Sequence, residues 1–346
     1  MKNKFIEFDF LRALAIISIV FYHLRYVLPN SLVFGNPFIY GLLREMGLGI
    51  FSFASGYLIS YNNPEFLSIE DIKKFYKKRI IRIFPLYWLA IACVIVAYFV
   101  FATISNFQKI FSFFYTGIFD QSTLIIYILD LQIFTNPTRS VFWYVSFILL
   151  CYACYPLIKK LTKSDEQLLL VSLLIMGVFG LLRIFFNLVD DRFFIYFLLF
   201  IGGIIVNNRK VLETPFSKKK EVLLVILTGI LILTNYLYFN NTFIKIVSLN
   251  LAIIFFCILL VLLLRRKALT GFTTRFEYII TFIAFGSYSV YLFHGLILEL
   301  GYLISFKLGL TPLANELFIL FLIVPIIFII GYYLQIVDNR IMKKII

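Results

Sequence analysis

The stretch from Phe8 to Leu28, FDFLRALAIISIVFYHLRYVL, decides the fold. At about 1.5 Å per residue of helix it covers the roughly 30 Å hydrocarbon core of a bilayer. Asp9 and Arg12 stand at one end, with His23 as the ionisable side chain in the apolar outer third. The run has no small-residue cleavage site and continues at full span length, so it reads as a membrane helix and not as a secretory leader.

The same pattern recurs along the chain. Apolar runs occupy about ten segments, at 8–28, 37–60, 85–103, 141–158, 168–186, 193–206, 222–239, 246–264, 279–304 and 315–337, the sixth being the shortest. With 346 residues, 62% hydrophobic and 14% charged, the composition excludes a soluble domain. It predicts an all-α, polytopic membrane helix bundle that forms one transmembrane domain over 1–346. No internal repeat or low-complexity linker divides it.

Lysine and arginine orient the bundle. Basic residues collect at Lys2 and Lys4, at Lys73 to Arg82, at Lys159 to Lys163, at Arg209 to Lys220, at Arg265 to Arg275 and at Arg340 to Lys344. Ten alternating spans put all of these on one side, and the opposite loops hold only scattered bases such as Lys109, Arg139, Arg192 and Lys245. The positive-inside rule then places both termini in the cytoplasm. The net charge of +14 is a topology signal with attraction to anionic lipid headgroups. Nothing in it calls for nucleic acid. Cys93, Cys151, Cys154 and Cys257 all fall within spans, and the Cys151-x-x-Cys154 pair has no further ligand near it in sequence. They read as small buried hydrophobes, with no disulfide framework and no metal site.

Loop 61–84 carries a cationic helix. Ser68 with Asp71 three residues on caps a short helix expected to end before Pro85. On a helical wheel Lys73, Lys74, Lys77 and Lys78 share the cytosolic face, while Arg79 and Arg82 turn toward the apolar arc. Two readings of the arginines stand equal on spacing: snorkelling to lipid phosphate, and bidentate capture of a ligand phosphate.

The polar residues inside the spans are the candidates for chemistry. Arg12 and His23 are eleven residues apart, almost three whole turns, so they share one face of the first helix. The plain reading of Arg12 is an interfacial anchor paired with Asp9, and that of His23 a buried polar group bonded to a neighbouring helix. His294 lies fifteen residues after Ile279 and His23 fifteen after Phe8, on helices that both run outward, so the two imidazoles fall at matching depth. Ionisable groups are costly in hydrocarbon and are retained mainly where they pair or work. Ser52 and Gly56 form a small-xxx-small pair suited to close helix packing. Trp143 and Tyr144 stand where an outer aromatic belt belongs.

Taken in order, Asp9-Phe-Leu-Arg12 with His23, Phe51-Ser-Phe-Ala-Ser-Gly56, Arg79-Ile-Ile-Arg82-Ile-Phe-Pro85, the segment Trp143 to Pro156, and Tyr291-Leu-Phe-His294 resemble the integral-membrane acyltransferase type-three family. The match covers most of the chain. Many relatives carry a glutamate in helix four where this sequence has Phe147 and apolar neighbours. The resemblance implies a cell-membrane, multi-pass enzyme that moves an acyl group, acetyl by preference, from cytosolic acyl-CoA to a hydroxyl of a surface polysaccharide or lipid-linked sugar. It implies His23 and His294 as the catalytic pair, with His23 as general base and a covalent acyl-histidine as the other route. It puts Arg12, Arg79 and Arg82 on the donor phosphates, and Asp9, Ser55, Trp143 and Tyr291 on the substrate. Acyl-CoA is then a co-substrate, no cofactor is bound, and the partners are the donor, the glycan acceptor and membrane lipid. The rival class is a proton-coupled carrier or flippase using the histidines as a proton relay. Such carriers often show paired inverted repeats, and no such symmetry is visible here.

Overall fold

The computed structural model describes residues 5–101, 114–115, 121–135, 140–213, 217–238 and 242–345. Lys2, Lys4, Lys109 and Arg139 lie outside the described residues, as does most of the expected outer loop 104–140. The described chain is almost entirely helical. Its helices are α1 (Ile6–Val27), α2 (Pro37–Asn62), α3 (Ile69–Phe101), α4 (Gln121–Ile128), α5 (Trp143–Leu161), α6 (Asp165–Phe186) and α7 (Arg192–Asn208). They continue as α8 (Lys218–Leu237), α9 (Thr242–Leu264), α10 (Lys267–Phe285), α11 (Ser287–Lys307), α12 (Pro312–Phe318) and α13 (Val324–Ile345). A π-helical turn at Ile319–Ile323 joins the last two.

Among the described residues, eight helical stretches are long and apolar enough to cross a membrane. Of the ten expected spans, α7 is apolar but only 17 residues long, and α2 is long but less apolar than those eight. Helix starts follow elementary capping. The Ser164, Ser217 and Thr311 hydroxyls accept from the backbone N–H of Gln167, Lys220 and Ala314, which satisfies donors that an α-helix leaves open.

The helices group into two compact units. The first comprises residues 1–15, 45–68 and 151–284, and the second 16–44, 69–150 and 285–346. In the first unit α9 packs on α8 and α7, and α7 packs on α6. The crossing of α2 and α7 is backbone on backbone: a Cβ at Gly56 would stand 1.9 Å from the Phe200 carbonyl oxygen, and one at Gly203 would stand 2.1 Å from that of Phe53. Ser52, on the same stripe of α2, is buried and donates to Leu48 O. The small-residue pair is thus a packing device.

In the second unit α11 packs on α13 and α3. Gly286 and Gly331 allow this, since a Cβ on either would press on the backbone of Tyr332 or Val290. Ser289 Oγ donates to Gln335 Oε1 at 2.9 Å across that contact, and Tyr288 OH donates to Ile83 O at 2.8 Å toward α3.

Two boundaries and one burial assignment differ from those expected. The helix bearing Arg79 and Arg82 does not end before Pro85; α3 runs through it for 33 residues. Proline removes one intrahelical bond, but Ile83, Leu86, Tyr87, Ala90, Ile91 and Val94 are all buried, and that burial outweighs the local break. The span expected at 279–304 begins at Ser287, because residues 279–285 finish α10 and the chain turns at Gly286. Trp143 and Tyr144 are not a lipid-facing belt. Both are buried, their rings 5.7 Å apart and edge-on.

Candidate active site

His23 lies on the C-terminal half of α1 and His294 seven residues into α11, both within the second unit. His294 is buried and His23 half-buried. Their rings meet: His294 Nε2 is 3.1 Å from His23 Nδ1. The other nitrogen of His294, Nδ1, is 2.7 Å from Tyr291 O and 3.1 Å from Val290 O.

Those partners assign the protons. A carbonyl only accepts, so His294 Nδ1 carries the hydrogen and Nε2 of the neutral ring presents a lone pair. His23 Nδ1 faces that lone pair and also Ile19 O at 2.8 Å. With two acceptors before it, Nδ1 must be the protonated nitrogen of His23. The nitrogen left over, His23 Nε2, is the unprotonated one. The dyad therefore holds one imidazole in the tautomer a general base requires, with a second imidazole and the Ile19 carbonyl fixing it.

Aromatic rings wall this centre. Tyr22 lies 4.6 Å from the His23 ring, Phe114 5.6 Å and Tyr26 5.9 Å, while Tyr291 lies 6.0 Å from His294. The Tyr291 hydroxyl donates to Val141 O, so its proton is already engaged. Tyr144 packs on Tyr291 at 6.0 Å, and behind it Trp143 and Phe147 complete the packing.

At the foot of α11 is a cleft of about 620 Å³. Lys78, Arg82, Arg340 and Lys343 line it together with Asp338 and Phe285, the residue before the α11 turn. At 1.5 Å per residue, His294 stands about 10 Å above the first residue of α11. None of the lining residues belongs to α11 itself, where Ser287, Ser289 and Tyr291 are buried. Asp338 accepts from Gln335 Nε2 at 3.2 Å, which ties the cleft to Ser289 by way of Gln335. Arg79 does not line the cleft; its guanidinium lies over the Phe75 ring at 5.3 Å.

The remaining expected site residues belong to the first unit. Arg12 is paired with Asp9 one turn away on α1, as the i,i+3 spacing suggests. Ser55 is half-buried on α2.

Sequence reasoning missed Lys78, Arg340 and Lys343 as possible ligands, having read them as topology charges. A carboxylate, Asp338, set among the C-terminal bases was the available signal that this stretch does more than face anionic lipid.

The family model for the type-three acyltransferase domain matches residues 5–334 of the chain. No curated protein and no solved structure matches it.

Proposed function

This chain belongs to the acyltransferase 3 family and is a multi-pass membrane acyltransferase; on that premise we propose that it moves an acyl group, acetyl in the first instance, from cytosolic acyl-CoA to a hydroxyl of a surface polysaccharide or lipid-linked sugar at the cell membrane. The observation that carries the reading is the free Nε2 of His23, with Nδ1 tethered to His294 and Ile19 O.

The steps balance with these residues. The acceptor hydroxyl gives its proton to His23 Nε2 as its oxygen attacks the thioester carbon. The positive charge that develops on His23 is met at Nδ1–H by the His294 lone pair and the Ile19 carbonyl. The tetrahedral intermediate collapses, the carbon–sulfur bond breaks, and the leaving thiolate takes the proton from Nε2. A positioned base of this kind contributes about 10²–10⁴-fold.

On the cytoplasmic side, the cationic cleft suits the phosphates of the donor. Arg82 offers a planar fork for bidentate contact, and Lys78, Arg340 and Lys343 add compact charges. The cleft adjoins the foot of α11, and a pantetheine arm running along that helix carries the thioester to His294 and His23. Because buried side chains occupy that route, donor entry has to displace some of them.

The test uses the purified chain with acetyl-CoA and a surface-glycan extract, following free thiol. Thiol release that requires the extract and disappears in His23→Ala is expected. Unchanged release in that variant removes His23 as the base.

A further inference from the structure

On the outer side of the dyad stands a cation that the transfer chemistry does not use. The Arg25 guanidinium carbon lies 4.4 Å from the ring centre of Tyr22, 4.4 Å from that of Tyr26 and 4.5 Å from that of Tyr40. Each distance is well within cation–π range. Three rings pack around one guanidinium, which is half-buried. One of its N–H groups donates to Tyr26 OH. Among the described residues no carboxylate pairs with it, and its buried Nε has no hydrogen-bond partner.

The cage is built, not incidental. Tyr40 sits in the first turn of α2, where Asn36 Oδ1 accepts from the N–H of Phe38 and Ile39. The α1–α2 connection before it is pinned by Ser31 Oγ donating to Glu316 at 2.7 Å. Tyr22 touches both centres, 4.6 Å from the His23 ring on one side and 4.4 Å from Arg25 on the other. The cation therefore stands one aromatic ring away from the base.

We propose that Arg25, caged by Tyr22, Tyr26 and Tyr40, binds an anionic group of the acceptor, so that the sugar acylated here carries a carboxylate or a phosphate next to the reacting hydroxyl. This rests on the reading of His23 as the base that meets an outer-side hydroxyl. The rings hold the guanidinium in place, and its planar fork of N–H donors suits a carboxylate or phosphate. Partial burial of the cation strengthens that pairing. The anion then sets how the sugar is presented to His23 Nε2, which makes Arg25 a specificity residue. A guanidinium that merely anchors the helix at the headgroups does not discriminate among soluble sugars.

The experiment is calorimetric titration of the full chain in lipid nanodiscs, without donor. The probes are methyl glucuronide, glucose 1-phosphate and the neutral methyl glucoside. At least one acidic sugar is expected to bind about tenfold or more tighter than the glucoside, in line with a charge-assisted pair. Arg25→Gln should bring it to the glucoside level, and Arg25→Lys should keep part of the preference. Coenzyme A binding at wild-type strength shows that each variant is folded. Preference for the glucuronide alone assigns a carboxylate, and for the sugar phosphate alone a phosphate. Equal binding of all three probes, no measurable binding of either acidic sugar, or a preference that survives Arg25→Gln overturns the proposal. The transferase reading is decided separately: His23→Ala should abolish thiol release while leaving the acidic-sugar preference intact.

Discussion

His294 presents the lone pair of Nε2 to the Nδ1–H of His23 across 3.1 Å, and its own Nδ1–H is spent on the Tyr291 and Val290 carbonyls. The arrangement gives the two imidazoles different work, although their sequence contexts are equivalent. In the proposed mechanism His23 meets the acceptor, while His294 positions His23 and supports the charge that forms on it.

That division is testable by kinetics. His294→Ala should lower kcat about tenfold or more, with the KM of donor and acceptor little changed, whereas His23→Ala should lose the full 10²–10⁴-fold of a general base. His294→Gln, whose carbonyl oxygen also accepts from Nδ1–H, should recover part of the loss. A His294→Ala enzyme with wild-type kcat contradicts the orienting role.

The two arginines of α3 should behave differently, because Arg82 lines the cleft and Arg79 stacks on Phe75. Arg82→Ala is expected to raise the donor KM about tenfold, the value of a charge-assisted contact. Arg79→Ala should raise it less and cost thermal stability instead. Equal effects on donor KM count against the cleft as the phosphate site.

Asp130 supplies a pH dependence. It lies in the segment after α4, which is tied down by Tyr87 OH donating to Tyr127 O and Ser146 Oγ donating to Asp130 O, each at 2.6 Å. Its residue is 4% exposed, and burial pushes the carboxyl pKa well above the usual range against an opposing pull from the Tyr87 hydroxyl. The unfolded value is about 3.9, so folding takes up a proton above that pH. The stability contribution is full below about pH 4 and falls as pH rises toward the folded pKa, by at most about 1.4 kcal/mol per pH unit. Asp130→Asn keeps the shape and tolerates the left-handed backbone there (φ 53°). Thermal melts from pH 4 to 8 should show a smaller decline in this variant than in the wild type. Parallel declines refute a buried, proton-binding Asp130.

The α2–α7 crossing sets a stability test. Gly56→Ala or Gly203→Ala puts a methyl group into a facing carbonyl, and the helices must part, at a cost of about 1–3 kcal/mol. Gly177→Ala and Gly229→Ala, on α6 and α8 with nothing near the new atom, should be neutral or mildly stabilising. Melting temperatures in one detergent separate the two pairs.

Hydropathy and charge alone established a helical membrane protein and put the histidines at matching depth. Bilayer thickness and the cost of buried charge act on any chain, so they can be read one residue at a time. The order of short motifs from Asp9 to His294 was enough to identify the family. What the sequence could not carry were quantities set by two helices at once. The equal fifteen-residue offsets placed the imidazoles together although α11 starts at Ser287 and not at Ile279. Pro85 read as a helix end because local bonding favours one, and only the burial of Ile83, Leu86 and Tyr87 shows why α3 continues. Which histidine nitrogen is free depends on the carbonyls and ring that face it. The three rings around Arg25 come from α1 and α2 across a turn. Hydrogen-bond direction and side-chain caging are properties of facing surfaces, and tertiary packing alone decides which surfaces face.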